Sequence, residues 1–199
     1  GTFGAYSHLA AVSIDPDAEI LPCKTFDDCF NIASEEPDCR IIIPESNRIT
    51  GNIGIEYLIF KHRLNIYQEH FQKIEHNLLG QPGAKLSDIK EVYSHAQGLS
   101  QCSNFIKENN IAEHIRADTA GSAEMISKTK DKKQAAIASS LSAEIYNLDV
   151  IKKNIENESG NLTRFLVMGK NISQPEFGNK KYITSFLFKL KSKPAALYQ

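Results

Sequence analysis

Short runs of Ile, Val, Leu and Ala alternate along this chain with stretches whose apolar residues recur every three or four positions, the mark of an α/β fold. A helix is predicted over residues 1–14, entered from a glycine turn, with Ala5, Leu9 and Val12 on its inner face. Residues 19–23 read as a strand, and Thr25 with Asp28 forms a capping box that opens a helix over 26–34. Residues 40–43 form a short apolar strand that ends abruptly at Pro44. Residues 51–60 are amphipathic and 64–79 largely extended, up to the break at Gln81-Pro82-Gly83. A strand over 91–93 leads into a helix over 96–107 whose Leu99, Cys102 and Ile106 face a core. The alternation continues through 111–117, 121–129, 135–138, 141–147 and 150–155, and 164–168 is a further apolar strand. A polar stretch over 174–179, holding Pro175 and Gly178, reads as a linker to a last strand over 182–190.

At 199 residues and 41% hydrophobic, the chain suffices for one ordinary domain or two small lobes, and not for many domains. Lys and Arg number 23 against 24 Asp and Glu, so no charge excess calls for nucleic acid or an anionic membrane. No apolar run reaches the roughly 20 residues of a membrane helix, and Gly1-Thr2-Phe3-Gly4 does not open a signal peptide. The expectation is a soluble, cytoplasmic protein. Cys23, Cys29, Cys39 and Cys102 include no CxxC pair and no His at zinc-finger spacing, which points to reduced thiols and to no metal site. Without a signal peptide the sequons at Asn157, Asn161 and Asn171 carry no weight. The chain opens on Gly1 and stops at Tyr198-Gln199 inside what reads as a helix start, so both ends look cut.

In open α/β sheets, sites form beyond the carboxyl ends of strands, where helix N-termini converge. Four polar clusters follow or flank strands: Pro44-Glu45-Ser46-Asn47-Arg48, Tyr93-Ser94-His95-Ala96-Gln97, Asp118-Thr119-Ala120-Gly121 and Gly160-Asn161-Leu162-Thr163-Arg164-Phe165. Ser94 stands at a strand-to-helix junction, with Gln101 two helical turns on and near the same face. The pair reads either as a helix cap and a solvated side chain or as two groups reaching into one cleft. Thr163, Arg164 and Phe165 all suit the strand they open. His8, His76 and His95 are too scattered to argue for a metal, and no GxGxxG, P-loop, GxSxG or HExxH pattern occurs.

Taken in order, these segments resemble the catalytic domain of prephenate dehydratases. The matching residues are Gly4-Ala5-Tyr6-Ser7-His8; Ile41-Ile42-Ile43-Pro44 with Asn47 and Gly51; His76-Asn77-Leu78-Leu79; Asp88-Ile89-Lys90; Tyr93-Ser94-His95 with Gln97, Gln101 and Cys102; Asp118-Thr119-Ala120; Ala143-Glu144-Ile145-Tyr146; and Asn161-Leu162-Thr163-Arg164-Phe165. The stretches from Tyr93 to Cys102 and from Asn161 to Phe165 are the most specific. The closing stretch, with Ala195, Ala196 and Leu197 at the family's Gly-Ala-Leu, resembles the start of the ACT regulatory domain that binds phenylalanine in that family.

The resemblance implies a two-lobed α/β fold like a type II periplasmic binding protein, followed by a truncated α+β ACT domain. Lobe 1 would take residues 1–78 with 158–175, lobe 2 residues 79–157, and the regulatory start residues 180–199. It implies cofactor-free conversion of prephenate to phenylpyruvate, with L-phenylalanine as feedback inhibitor of the intact protein and a homodimer or higher homo-oligomer. Thr163 would assist the departing hydroxyl, with Ser94, Gln101 and Asn47 as neutral donors. Arg164, Phe165, Ser7, His76, Thr119 and Arg48 would contact the substrate, with pairing to a protein carboxylate as the alternative reading of Arg164. Arg48 itself reads equally as a cation facing the dianion or as a solvated residue, because the stretch from Pro44 to Gly51 departs from the family: its Glu is Ser46 and its Ser is Arg48. The family's first strand, before Gly4, is also missing, which leaves one strand position of a lobe without an occupant. An arogenate dehydratase and a non-enzymatic solute-binding module of the same fold are the rival readings.

Overall fold

In chain order the protein runs α1 (Tyr6–Ile14), α2 (Phe26–Glu35), β1 (Arg40–Asn47), β2 (Gly51–Asn52), α3 (Glu56–His62) and β3 (Asn65–Lys73). It continues through β4 (Asn77–Gly80), β5 (Glu91–His95), α4 (Ala96–Gln101), α5 (Ser103–Glu108), β6 (Ala112–Arg116), α6 (Thr119–Thr129), β7 (Gln134–Ala138), α7 (Ser140–Tyr146) and β8 (Asp149–Lys152), and returns in β9 (Leu162–Gly169). This computed structural model describes residues 1–171 with Thr184, Phe188 and Leu190. Apart from those three residues, the expected last strand over 182–190, the linker, the regulatory start and Ala195, Ala196 and Leu197 lie outside the described residues.

Two sheets divide the elements. The first, in the order β2-β1-β9-β3, is antiparallel throughout; the second, β6-β5-β7-β4-β8, is parallel at β6-β5-β7 and antiparallel at β4. Residues 77 and 78 belong to β4 and so to the second sheet, two residues before the expected lobe boundary.

Successive side chains of a strand point to opposite faces, and this splits the second sheet's apolar residues into two cores. Leu78, Val92, Ala135 and Ile137 pack with Leu99 and Ile106 of α4 and α5. Their neighbours Leu79, Tyr93, Ala136 and Ala138 pack with Ala123 and Ile126 of α6 and Ala143 of α7. In the first sheet Ile41, Ile43, Leu166 and Met168 meet Phe30, Ala33, Leu58 and Ile59 of α2 and α3. The Thr25 capping box forms as expected, with Thr25 Oγ1 accepting from the Asp28 N–H and Asp28 accepting from the Thr25 N–H.

The first turn of the chain is tied to the second sheet. Gly4 has φ +83°, and the hydroxyls of Ser139 and Ser142 donate to its carbonyl at 2.6 and 2.9 Å. A Cβ at Gly4 would lie 2.6 Å from Ser142 Oγ, so both the backbone and the close approach demand glycine.

Several expectations are corrected. Residues 19–23 pair with no strand among the described residues: a strand exists only by hydrogen-bonding a neighbour, and Pro22 has no N–H to offer. Instead the Gly1 amine donates to the Cys23 carbonyl at 2.8 Å. A cavity of about 510 Å³ separates this segment from β1, lined by Ile20, Leu21, Cys23, Ile41, Ile42 and Val167 among others. The first helix begins at Tyr6, with Ala10 as its buried residue. β1 runs past Pro44 to Asn47, because the register shifts between Pro44 and Ser46 and the bulge accommodates the proline. Residues 64–79 are two strands of different sheets, and the helix expected over 96–107 breaks at Cys102 into α4 and α5.

Candidate active site

The two sheets meet where the end of β1, the start of β9, the link between β3 and β4, and the last residue of α4 converge, and a chain of polar side chains crosses that seam. Register sets its first pair. Asn47 faces Thr163 across the β1–β9 ladder, and Asn47 Nδ2 donates to Thr163 Oγ1 at 2.8 Å and to Asn161 Oδ1 at 2.8 Å. Asn161 Nδ2 donates to Gln101 Oε1 at 3.2 Å. Gln101 Oε1 also lies 2.8 Å from His76 Nε2, whose Nδ1 is 3.0 Å from the Tyr6 hydroxyl. The Tyr6 hydroxyl also lies 2.8 Å from the Glu75 carbonyl, and its one proton can serve only one of these two contacts.

Most of this array is dry. His76, Asn161 and Thr163 are buried, while Asn47 and Gln101 are half-buried. Burial holds His76 below the ordinary imidazole pKa, against the opposing pull of the Gln101 carbonyl and Glu156. Burial first, then Cys102, Glu156 and Glu75, pushes Tyr6 well above the ordinary phenol value, so it keeps its proton. The array thus consists of neutral groups. Among the described residues, no group of three His, Cys, Asp or Glu is placed to hold a metal.

Thr163 accepts from Asn47, and its own proton has no acceptor among the described residues. Gln101 uses its oxygen twice, and its Nε2 has no partner among them. A hydroxyl and an amide NH2 are therefore left to donate at the seam, an arrangement suited to carboxylate or departing hydroxyl oxygens.

Other expected site residues lie elsewhere. Ser94 is fully buried and donates to the Ile137 carbonyl at 2.7 Å, so its proton is committed inside the second sheet and it does not converge with Gln101. His95, not Ser94, caps α4, accepting from the Gln97 N–H at 3.3 Å. Arg164 points to the opposite face of β9 from Thr163 and is closed by Glu69 at 2.8 Å and Glu45 at 3.2 Å, the protein-carboxylate alternative left open by the sequence. Phe165 is 2% exposed, which leaves it no surface for a substrate. Ser7 lines the cavity beside residues 19–23 and makes no hydrogen bond to the array. Thr119 is the first residue of α6, whose cap is Asp118, accepting from the Gly121 N–H at 2.6 Å. Arg48 is exposed beside Asn47 at the β1–β2 turn, its Nη1 donating to the Gly160 carbonyl at 3.2 Å.

The prephenate dehydratase family model matches residues 1–173. The chain belongs to the prephenate dehydratase family. It is 36% identical over 200 residues to arogenate dehydratase/prephenate dehydratase 1, chloroplastic, of Arabidopsis thaliana, covering 100% of this chain and 51% of that protein. Among solved structures it resembles the quorum-quenching acylase GqqA, with 33% identity and a TM-score of 0.82 over 89% of this chain and 65% of that one. It also shares the fold of a prephenate dehydratase from Arthrobacter aurescens in complex with L-Phe, with 24% identity and a TM-score of 0.80 over 89% and 61% of the two chains. The chain thus spans about half the length of the Arabidopsis relative.

Within the prephenate dehydratase fold, sequence reasoning missed Tyr6 and Asn161 as members of the site. Both stand in segments that carried the family resemblance, and the signal for Asn161 was its place two residues before Thr163: side chains at that spacing share a strand face.

Proposed function

We propose that this protein catalyses the decarboxylating dehydration of prephenate to phenylpyruvate. In that reaction the bond from the ring to its carboxylate breaks, and its electron pair enters the ring as the C4–O bond breaks. Carbon dioxide leaves, and the departing hydroxide takes a proton to become water. The observation that carries the reading is the Asn47–Thr163 bond, which occupies a lone pair of Thr163 Oγ1 and leaves the hydroxyl proton to donate. A threonine is a weak acid in water, so its contribution is a fixed donor in a dry site, set on the oxygen where charge develops. Gln101 orients the substrate through its free Nε2; Asn47, expected as a neutral donor to the substrate, has both N–H protons committed to Asn161 and Thr163 and acts by holding Thr163. Arg48 offers the guanidinium for a carboxylate, since Arg164 is closed by Glu45 and Glu69.

The same proposal includes the two-lobed architecture of a type II periplasmic binding protein, L-phenylalanine as regulator through an ACT domain, and a homo-oligomer in the cytoplasm. The L-Phe bound to the Arthrobacter structure supports the regulator, and four free thiols suit a reducing compartment. Among the described residues no helix is long and apolar enough to cross a membrane. The Arabidopsis relative carries arogenate in its name, so substrate choice is the point to test. Turnover of prephenate and arogenate, each measured with the same protein, is expected to favour prephenate; turnover confined to arogenate would overturn the substrate assignment.

A further inference from the structure

The polar array has a direction that can be traced from donors that cannot turn round. The backbone N–H groups of Ile49 and Thr50 both point at one atom of the Asn47 amide, at 2.9 and 3.1 Å, and that atom must be its oxygen. The other end of the amide is then NH2, and it faces Asn161 and Thr163. Asn161 has to answer with its oxygen, which turns its own NH2 toward Gln101. Gln101 has to answer with Oε1, and the same oxygen faces His76 Nε2, so that nitrogen carries a proton. His76 Nδ1 is then a bare acceptor that takes the single Tyr6 hydroxyl proton, and the Glu75 carbonyl accepts from Asn77 Nδ2 at 3.3 Å instead. Each orientation follows from the one before, back to two backbone amides on the β1–β2 turn.

We infer that Asn161 is a positioning residue for substrate binding: it transmits the direction set at Asn47, so that Gln101 turns its carbonyl inward and its NH2 toward the seam as a donor for a substrate carboxylate. Asn161 is 3% exposed and acts through Gln101 without touching the ligand. The carboxylate as ligand rests on the dehydratase reading; the direction of the array rests on geometry alone.

Asn161→Asp is an almost isosteric reversal. The introduced carboxylate still accepts from Asn47 but can no longer donate to Gln101. The Gln101 amide then turns over, giving its NH2 to the carboxylate and to His76 Nε2. His76 moves its proton to Nδ1 and donates to Tyr6, which donates to the Glu75 carbonyl, so every group stays satisfied. The substrate now meets a carbonyl oxygen in place of an NH2.

Nitrogen-15 NMR of the His76 imidazole reads the direction without reference to activity. The unsubstituted protein is expected to show the Nε2–H tautomer, and Asn161→Asp at neutral pH the Nδ1–H tautomer. In parallel the KM for prephenate should rise roughly ten- to a hundredfold, with kcat changed much less, as expected for a lost charge-assisted donor. The KM should recover as pH falls and the introduced carboxyl regains a proton with which to donate to Gln101. An added charge without reversal would raise KM but leave the tautomer unchanged, and that result overturns the proposal. So does an Nδ1–H tautomer in the unsubstituted protein, a measurement that needs no variant to fold. An unsubstituted protein that does not turn over prephenate would sink the dehydratase reading, while the imidazole signals would still decide the direction.

Discussion

Asn47 Nδ2 reaches Thr163 Oγ1 at 2.8 Å across a pair of strands in which the two residues stand opposite each other. The donor in this bond belongs to Asn47, so Thr163 enters any encounter with a ligand as a hydroxyl whose proton is unspent. Backbone pairing sets the two residues opposite each other, and the Ile49 and Thr50 N–H groups hold the Asn47 amide in place.

Replacing Thr163 with valine keeps the shape and removes the hydroxyl. Turnover should fall on the order of 100-fold or more, with KM changed only a few-fold, because the lost interaction matters most where charge develops on the leaving oxygen. Thr163→Ser should keep more of the activity. Steady-state kinetics with prephenate test this, and undiminished turnover in Thr163→Val removes the residue from the mechanism.

Arg164 is held between Glu45 and Glu69 at the edge of the first sheet's core. Arg164→Met should leave two half-buried carboxylates uncompensated and lower stability by about 1–3 kcal/mol, between the values for exposed and buried pairs. Urea denaturation measures that loss. KM should stay within a few-fold, whereas a rise of tenfold or more with stability unchanged would mean that Arg164 meets the substrate after all.

Gly4 joins the start of α1 to α7 through the hydroxyls of Ser139 and Ser142. Gly4→Ala forces a side chain into left-handed backbone at a cost of about 1–2 kcal/mol, and the contact with Ser142 adds to it. For a chain of this length the midpoint of thermal unfolding should fall by roughly 4 °C or more. An unchanged midpoint would show that the turn does not anchor α1.

Alkali should destabilise the fold in a defined window. Burial, reinforced by Glu156, pushes the Cys102 thiol from 9.0 up to about 12. Above pH 9 the unfolded chain loses that proton while the folded chain keeps it, so the stability linked to this thiol is fully present below pH 9 and is lost as pH rises toward about 12. Cys29 is pushed from 9.0 to about 12 in the same sense, chiefly by burial. Cys102→Ala should flatten the decline of the unfolding midpoint above pH 9, up to about 12; an unaltered slope would rule out Cys102 as its source.

What could be read in the sequence was local. The apolar strand over 164–168 and the Thr25 cap follow from residue type and short-range spacing, whereas the split of Leu78 from Leu79 and of Ile137 from Ala138 between two cores needs the strand geometry, because all four are apolar. What escaped reading depended on partners far along the chain. Residues 19–23 have the composition of a strand, but pattern carries no information on whether a neighbour lies alongside. Arg164 sits next to the site in sequence, but it is tied to Glu69 across 95 positions and faces away from Thr163. Ser94 stands at the right junction, yet its hydroxyl is claimed by β7. Asn161 was legible only as part of a matching segment and as a sequon, because its role exists only through Asn47 on β1 and Gln101 at the end of α4, which are far from it in sequence.

The most direct measurement is the product balance when the purified protein is given prephenate. Phenylpyruvate and carbon dioxide should appear in a one-to-one ratio, with no added metal or cofactor, and Thr163→Val should suppress both together. A folded protein that binds prephenate and returns it unchanged would contradict the account and make the fold a solute-binding module.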